Sequence, residues 1–232
     1  MRGPDRSRLP TTHPSCPLCG GAGPEGPLRG RSRRFWRCNR CRLTFLRPAD
    51  HPSRAAEESR YRLHRNAPAD AGYRQALDRL AAPLAARLRP GMEGLDYGSG
   101  PGPALATLLA ERGLRVTNYD PIFAPDPAAL ARTWDFLACT ETVEHFREPG
   151  AEFDRLARLI RPGGWIGIQT RLCAEDQDLA SWWYAEDPTH LCFYARATFD
   201  WIGARQGWSV EQPDGDVILM HRPGAADSDA GR

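Results

Sequence analysis

Apolar positions along the chain follow two rhythms. Between residues 73 and 88, Leu77, Leu80, Leu84 and Leu88 recur every three or four residues, the spacing of one helical stripe. Pro83 lies inside that stripe and removes a backbone donor, which predicts a kink or a break, and Pro90-Gly91 ends the segment. Residues 49–92 therefore read as a mainly helical linker or lid. From residue 93 the rhythm changes. Short apolar runs at 93–98 (EGLDYG), 115–120 (RVTNYD), 135–140 (DFLACT) and 165–170 (WIGIQT) read as strands. The stretches 102–113, 152–164 and 197–207 carry helical stripes between them, the last two closed by Gly163 and Gly207. Two final runs, 208–212 and 216–223, read as a hairpin. Strands in alternation with helices predict an α/β domain over 93–223: a doubly wound, mostly parallel sheet, covered on both faces, with an antiparallel C-terminal hairpin. No internal repeat is visible.

The N-terminal part adds a different unit. Cys16 and Cys19 (CPLCG) and Cys38 and Cys41 (CNRC) form two CxxC knuckles. Four thiolates at this spacing match a zinc-ribbon signature, and RFWRC and RLTFL alternate as the strands of a small hairpin. Residues 12–48 are therefore expected to be a zinc ribbon. Four cysteines leave no open coordination position, so that Zn2+ would be structural. Residues 29–42 are dense in arginine. Arg31, Arg33 and Arg34, with Trp36, are either a solvated basic face on a folding staple or a recognition surface for an anionic partner such as nucleic acid.

Composition narrows the class. A net charge of +2 points to no particular partner, and 41% hydrophobic content is ordinary for a globular protein. No apolar run is long enough for a membrane span, and residues 1–15 lack the apolar segment of a secretory signal. With seven cysteines, an odd number, the expectation is metal binding in a reducing, cytoplasmic setting and not disulfides. The chain has no lysine, which excludes a Schiff-base or P-loop lysine. Residues 1–11 and 224–232 have the composition of disordered tails.

Candidate chemistry begins at LDYGSGPGP. Asp96, Gly98, Gly100 and Gly102 end the first strand of the alternating segment, and Asp120 ends the second. Glycines allow close approach of backbone to ligand, and a carboxylate at Asp120 can accept two ribose hydroxyls. The DxGxGxG order differs from the GxGxxG of a dinucleotide site, and an acid before the glycines suits a ligand bearing an amine. GLDYGSGPG, NYD, DFLACTETVEHF and LIRPGGWIGIQT together resemble the successive motifs of class I S-adenosylmethionine-dependent methyltransferases, over residues 55–223. The resemblance implies a Rossmann-like fold and S-adenosylmethionine as cofactor. It places Gly98, Gly100 and Gly102 under the methionine moiety, Asp96 at its ammonium group and Asp120 at the ribose. Only PIFAPDPAALARTW separates Asp120 from Asp135, with no clear third strand, so the adenine contact has no counterpart in the sequence.

TETVEHF (140–146) groups Glu141, Glu144 and His145, which one helical turn would bring to one face. Past the next strand, WWYAEDPTHLCFY supplies Asp187, Thr189 and His190 among aromatic residues. Glu141, Glu144, His145 and His190 resemble the ExxEH…H ligand set of metal-dependent O-methyltransferases, which include small-RNA 2′-O-methyltransferases. The EH stretch also resembles ubiquinone-pathway O-methyltransferases. Three readings stay open: a cage for Mg2+ or Mn2+ that activates a hydroxyl, a metal-free base at His145 or His190, or packing alone. Glu144, His145 and His190 are the candidate catalytic residues, and Glu141 and Tyr61 candidate cofactor contacts. His64, Tyr184 and Asp187 are candidates for the acceptor pocket; Trp182, Trp183, Phe193 and Tyr194 read as core or wall. The expected reaction is methyl transfer to a small hydroxyl-bearing acceptor. An RNA methyltransferase that reads its substrate through the ribbon, or a binding protein of the same fold without the reaction, are the alternatives.

Overall fold

Three short strands open the chain in the computed structural model: β1 (Glu25–Arg29), β2 (Arg34–Arg37) and β3 (Thr44–Phe45). Helices α1 (Arg54–Tyr61) and α2 (Ala71–Ala85) follow. The alternating segment then runs β4 (Glu93–Tyr97), α3 (Ala104–Ala110), β5 (Arg115–Tyr119), β6 (Trp134–Thr140), α4 (Pro149–Leu159) and β7 (Ile160–Gln169). It closes with β8 (Cys192–Phe193), α5 (Arg196–Gln206), β9 (Ser209–Asp214) and β10 (Val217–His221). The structure describes residues 14–63, 70–102 and 104–224.

Six strands make one sheet in the order β5-β4-β6-β7-β10-β9. β5, β4, β6 and β7 are parallel, and β10 pairs antiparallel with both β7 and β9. This is the doubly wound, mostly parallel sheet with a closing hairpin that the alternation predicts. Side-chain alternation along its strands feeds two cores. Phe136, Ala138, Val217 and Leu219 face the Leu77, Leu80, Leu84 stripe of α2 and the leucines of α3. Leu137, Cys139, Ile218 and Met220 face Phe153 and Leu156 of α4, Phe199 and Ile202 of α5, and the N-terminal hairpin. Gly167 lets α2 lie close on the sheet: a Cβ there would stand 2.9 Å from Leu80 Cδ1 and 3.0 Å from Leu84 Cδ2.

Several elements differ from expectation. Helix α2 runs through Pro83 without a break. The proline costs the helix the one bond its missing N–H would give to Arg79 O, and buried Leu80 and Leu84 hold this turn of the helix on the sheet. Helix α4 ends at Leu159 and not at Gly163, and the chain passes directly into β7. Pro162 disfavours a helical Arg161, and the backbone pairs outward instead: Gly163 N donates to Arg222 O at 2.9 Å and Arg222 N to Gly164 O at 3.0 Å. Between β5 and β6 the described residues form no strand, in agreement with the missing third strand; a bridge between Asp120 and Ala124 takes its place.

The N-terminal hairpin crosses the boundary expected at residue 48. Its sheet has the order β1-β2-β3-β8, so the last strand comes from the segment after β7. Thr44 pairs with Phe193 and Phe45 with Cys192. Gly150, at the start of α4, donates its N–H to Pro17 O of the first knuckle at 3.1 Å. One apolar cluster contains Cys16, Leu18, Phe35 and Phe45 together with Leu137 and Ile166 of the large sheet.

Candidate active site

A cavity of about 880 Å³ opens at the carboxyl ends of β4, β5 and β6, where the strand order reverses and open α/β sheets bind ligands. Its floor is the glycine loop. Gly98 has φ +84°, and a Cβ there would stand 2.3 Å from Thr142 Cγ2, so the site demands glycine twice over. Gly100 also has a positive φ, and its N–H donates to Asp120 Oδ2 at 3.0 Å. Asp120 Oδ1 accepts from Ile122 N at 2.8 Å and Phe123 N at 2.9 Å. The carboxylate thus ties the glycine loop to the turn that replaces a third strand, and Ile122 and Phe123 join the cavity wall. Asp96 is 3% exposed and accepts no hydrogen bond from a described residue. Burial, and then the charge of Asp120, push its carboxyl up to about 7. A buried carboxyl without a partner, at the cavity edge, suits a cationic group of a ligand. Gly102 lines the same floor.

The TETVEHF stretch is less helical than its spacing suggests. Val143–His145 form one 3-10 turn, and Glu141 precedes it with φ +48°, a left-handed conformation that is uncommon outside glycine. Glu141 therefore points into the cavity separately from Glu144, which is wholly buried. Tyr184 OH donates to Glu144 Oε1 at 2.5 Å and lies 3.1 Å from Glu141 Oε2; Thr170 Oγ1 donates to Glu144 Oε2 at 3.0 Å. Burial pushes the Glu144 carboxyl up to about 7, against those two donors. Burial and the Glu144 charge also push Glu141 upward.

The two histidines stand side by side, ring centroids 4.8 Å apart. His145 donates Nδ1–H to Thr189 O at 2.9 Å, and His190 donates Nδ1–H to Tyr184 O at 2.8 Å. Carbonyls only accept, so both rings are Nδ1-protonated and both keep a lone pair at Nε2. Burial lowers the basicity of both, and His190, further lowered by His145, falls to about 3. Both line the cavity. Tyr61, the last residue of α1, packs edge-on against His145 with centroids 5.2 Å apart. Donor atoms of Glu144, His145 and His190 lie within 4.8 Å of one another; Glu141 is not in that group.

Two residues expected at the acceptor pocket make contacts beside the cavity. Tyr184 is 1% exposed and lies beneath Glu141 and Glu144, its one hydroxyl proton on Glu144 and Glu141 Oε2 within reach. Asp187 accepts from Arg60 Nη2 at 2.7 Å, Thr189 N at 2.9 Å and Thr189 Oγ1 at 2.7 Å, so it locks the loop before β8 onto α1. Burial works to raise its carboxyl, but Arg60 and Thr189 outweigh it and hold the group well below the usual range. Phe193 and Tyr194 are core, and Trp183 is 65% exposed. His64 lies outside the described residues. Sequence reasoning missed Tyr73, in the first turn of α2, and Thr142, which packs on the glycine loop. The legible signal for Tyr73 is the cap before it: Asp70 Oδ1 accepts from Tyr73 N at 2.7 Å.

The four knuckle cysteines also converge. Cys16 and Cys41 sulfurs are 3.5 Å apart, Cys19 and Cys38 3.4 Å. The two knuckles share one backbone pattern: Cys16 N donates to Gly21 O and Cys38 N to Leu43 O, while Gly20 N and Arg42 N return to Cys16 O and Cys38 O. Gly21 N and Arg40 N each point at a cysteine sulfur at 3.4 Å. This donor set fits a tetrahedral thiolate-bound cation such as Zn2+. Of the residues expected to form a basic face, Arg33 bonds backbone carbonyls of 185–190, Trp36 is buried, Arg31 pairs at the rim with Glu186 and Arg34 is exposed; Arg37 beside them bonds Ala174 O.

Comparisons with known proteins agree with this geometry. Residues 64–212, more than half of the chain, match the family described as Methyltransferase domain. The chain belongs to this family. A ubiquinone biosynthesis O-methyltransferase of Thiobacillus denitrificans is 36% identical over 63 residues, 27% of this chain. The matched part spans 27% of the length of that relative. Among solved structures, a 1,6-didemethyltoxoflavin-N1-methyltransferase of Burkholderia thailandensis has the same fold, with a TM-score of 0.51 at 15% identity. That similarity covers 87% of this chain and 100% of the other.

Proposed function

We propose that the protein is an S-adenosylmethionine-dependent O-methyltransferase for a small hydroxyl-bearing acceptor, which binds at the His145–His190 end of the cavity. The observation that carries this reading is the pair of Nε2 lone pairs, side by side on the cavity wall and each freed by a carbonyl-bound Nδ1. S-adenosylmethionine supplies a methyl group on a positively charged sulfur. Asp96 meets the ammonium of its amino-acid part, and Asp120, with three acceptor positions taken by backbone N–H groups, keeps one on Oδ2 for a ribose hydroxyl. Ile122 and Phe123 flank the base in place of a third-strand contact. A hydroxyl is a weak nucleophile until its proton is shared; His190 Nε2 accepts a hydrogen bond from it and takes the proton only as the O–CH3 bond forms, when the oxygen has become acidic enough for so weak a base, with the Glu144 carboxyl beside the imidazolium. Glu141 and Tyr61 line the space between cofactor and acceptor.

A second reading rests on the grouping of Glu144, His145 and His190 donor atoms within 4.8 Å. These three would hold Mg2+ or Mn2+ as two imidazoles and one carboxylate, and the ion would polarise the acceptor oxygen. The cysteine cluster is read as a structural Zn2+ site, which requires reduced thiols and so a cytoplasmic setting. RNA is not favoured as acceptor, because Arg33 and Arg37 face inward.

The test is release of S-adenosylhomocysteine across a panel of phenols, catechols and sugar alcohols, with His190→Ala beside the wild type. The variant is expected to keep cofactor affinity and lose about 10²–10⁴-fold in turnover. Unchanged turnover would remove His190 from the mechanism. Calorimetric titration of manganese into the S-adenosylhomocysteine complex separates the two readings: one site, absent in His190→Ala, establishes the cation.

A further inference from the structure

We propose that Arg33, a residue of the cysteine-bearing hairpin, is a positioning residue of the active site: its guanidinium holds the 183–190 loop and so sets where His190 stands in the cavity. The proposal builds on the reading of His190 as an acceptor-side group.

The loop between β7 and β8 has little regular structure of its own. Only Trp183–Glu186 form a 3-10 turn; a tight turn follows, closed by His190 N donating to Asp187 O at 3.1 Å, before the chain enters β8. Backbone carbonyls turned inward in such a loop need donors. Arg33 supplies them from another part of the chain. Its Nη1 donates to Pro188 O at 3.3 Å and His190 O at 3.1 Å; its Nη2 donates to Asp187 O at 2.5 Å and to Ala185 O. One planar group thus gathers four carbonyls, which a guanidinium can do and a single ammonium nitrogen cannot.

The held segment is the one that aims the imidazole. His190 Nδ1 donates to Tyr184 O, one residue before the first clamped carbonyl, and His190 O is itself clamped. Flanking contacts carry the same frame into the cavity. Leu46 N of the hairpin donates to Leu191 O at 2.9 Å, and Leu191 N donates to Glu144 O at 2.8 Å. On the opposite side Asp187 is anchored by Arg60 of α1. Arg31, two residues away, makes only a rim contact with Glu186, with side chains 73% and 40% exposed, and is a built-in control. The hairpin is therefore part of the acceptor-side scaffold.

The experiment is imidazole 15N spectroscopy on full-length, histidine-labelled protein, zinc-loaded and saturated with S-adenosylhomocysteine, with His190→Ala used to assign the signal. Wild type and Arg31→Ala are expected to show His190 as a single Nδ1-protonated tautomer. Arg33→Met is expected to lose that signature while zinc content and S-adenosylhomocysteine affinity persist. An unchanged His190 signal in Arg33→Met overturns the proposal. Should Arg33→Met fail to bind zinc or S-adenosylhomocysteine, Arg33→Lys, which keeps the charge without the fork, carries the same test with the same two outcomes. If the His190 signal moves but His190→Ala leaves methyl transfer intact, positioning stands and the base reading fails.

Discussion

Asp96 is held ready for a cation. Its carboxyl is buried, without a hydrogen bond from a described residue, and stands at about 7 in the folded chain against about 3.9 when unfolded. A raised folded value means that the folded state binds the proton more tightly. The stability this gives is complete below about pH 4 and is lost as pH rises through about 7. Asp96→Asn should therefore melt higher than wild type at about pH 8 without cofactor, by up to about 4 kcal/mol. The same variant should bind S-adenosylhomocysteine at least about tenfold more weakly, because a charge-assisted contact is gone. Thermal melts with and without ligand read both effects. Opposite signs in one variant separate a ligand-binding carboxylate from a structural one. His190, lowered to about 3, stays neutral through the physiological range, so an acid-side fall of turnover near pH 7 should follow the carboxyls of Asp96 and Glu144 and should be altered in Asp96→Asn but keep its midpoint in His190→Gln; pH–rate profiles of the variants check this. At this scale Asp96, Gly98, Gly100 and Asp120 were legible because each lies at a strand end or in the loop next to it. Arg33 and His190 were not legible as partners, being 157 residues apart in the chain.

The glycine loop is the element on which the cofactor end depends. Gly98→Ala adds a Cβ at a φ of +84° and at 2.3 Å from Thr142, a residue pinned by Oγ1 bonds to Gly98 O and Thr140 O. It should cost about 1–3 kcal/mol in stability and abolish S-adenosylhomocysteine binding, measured by melting and calorimetry. A variant that still binds with full affinity would show that the loop does not approach the ligand. Helix α2 shows the limit of reading elements from local signals. Pro83 argues against a helix there, yet burial of Leu80 and Leu84 outweighs it. The turn after β6 shows the reverse. Spacing puts Glu141, Glu144 and His145 on one helical face, but the left-handed Glu141 and a single 3-10 turn split the group into a cavity-facing acid and a buried one.

The hairpin and the methyltransferase domain are continuous in structure. They share strand pairing at β3–β8 and a continuous apolar cluster. With the four cysteines read as a Zn2+ site, chelation, or Cys38→Ser, should lower the melting temperature of the whole chain in a single transition, because the large sheet loses part of its cover. Calorimetric scans before and after chelation check this. Two separate transitions would mean that the hairpin is an independent module. What the amino-acid sequence determined alone were features set by neighbours in the chain: the alternation that makes a doubly wound sheet, the CxxC pairs, the DxGxGxG loop, and the missing third strand. Short-range periodicity and spacing are enough for these. Tertiary structure alone decided that the hairpin sheet takes its fourth strand from residues 192–193. It also decided that Arg33 turns inward to close a loop from within, and that the Tyr184 hydroxyl meets the acids beneath the cavity. Those outcomes depend on which buried carbonyls and carboxylates lack a partner once the core has formed, and no local pattern carries that information.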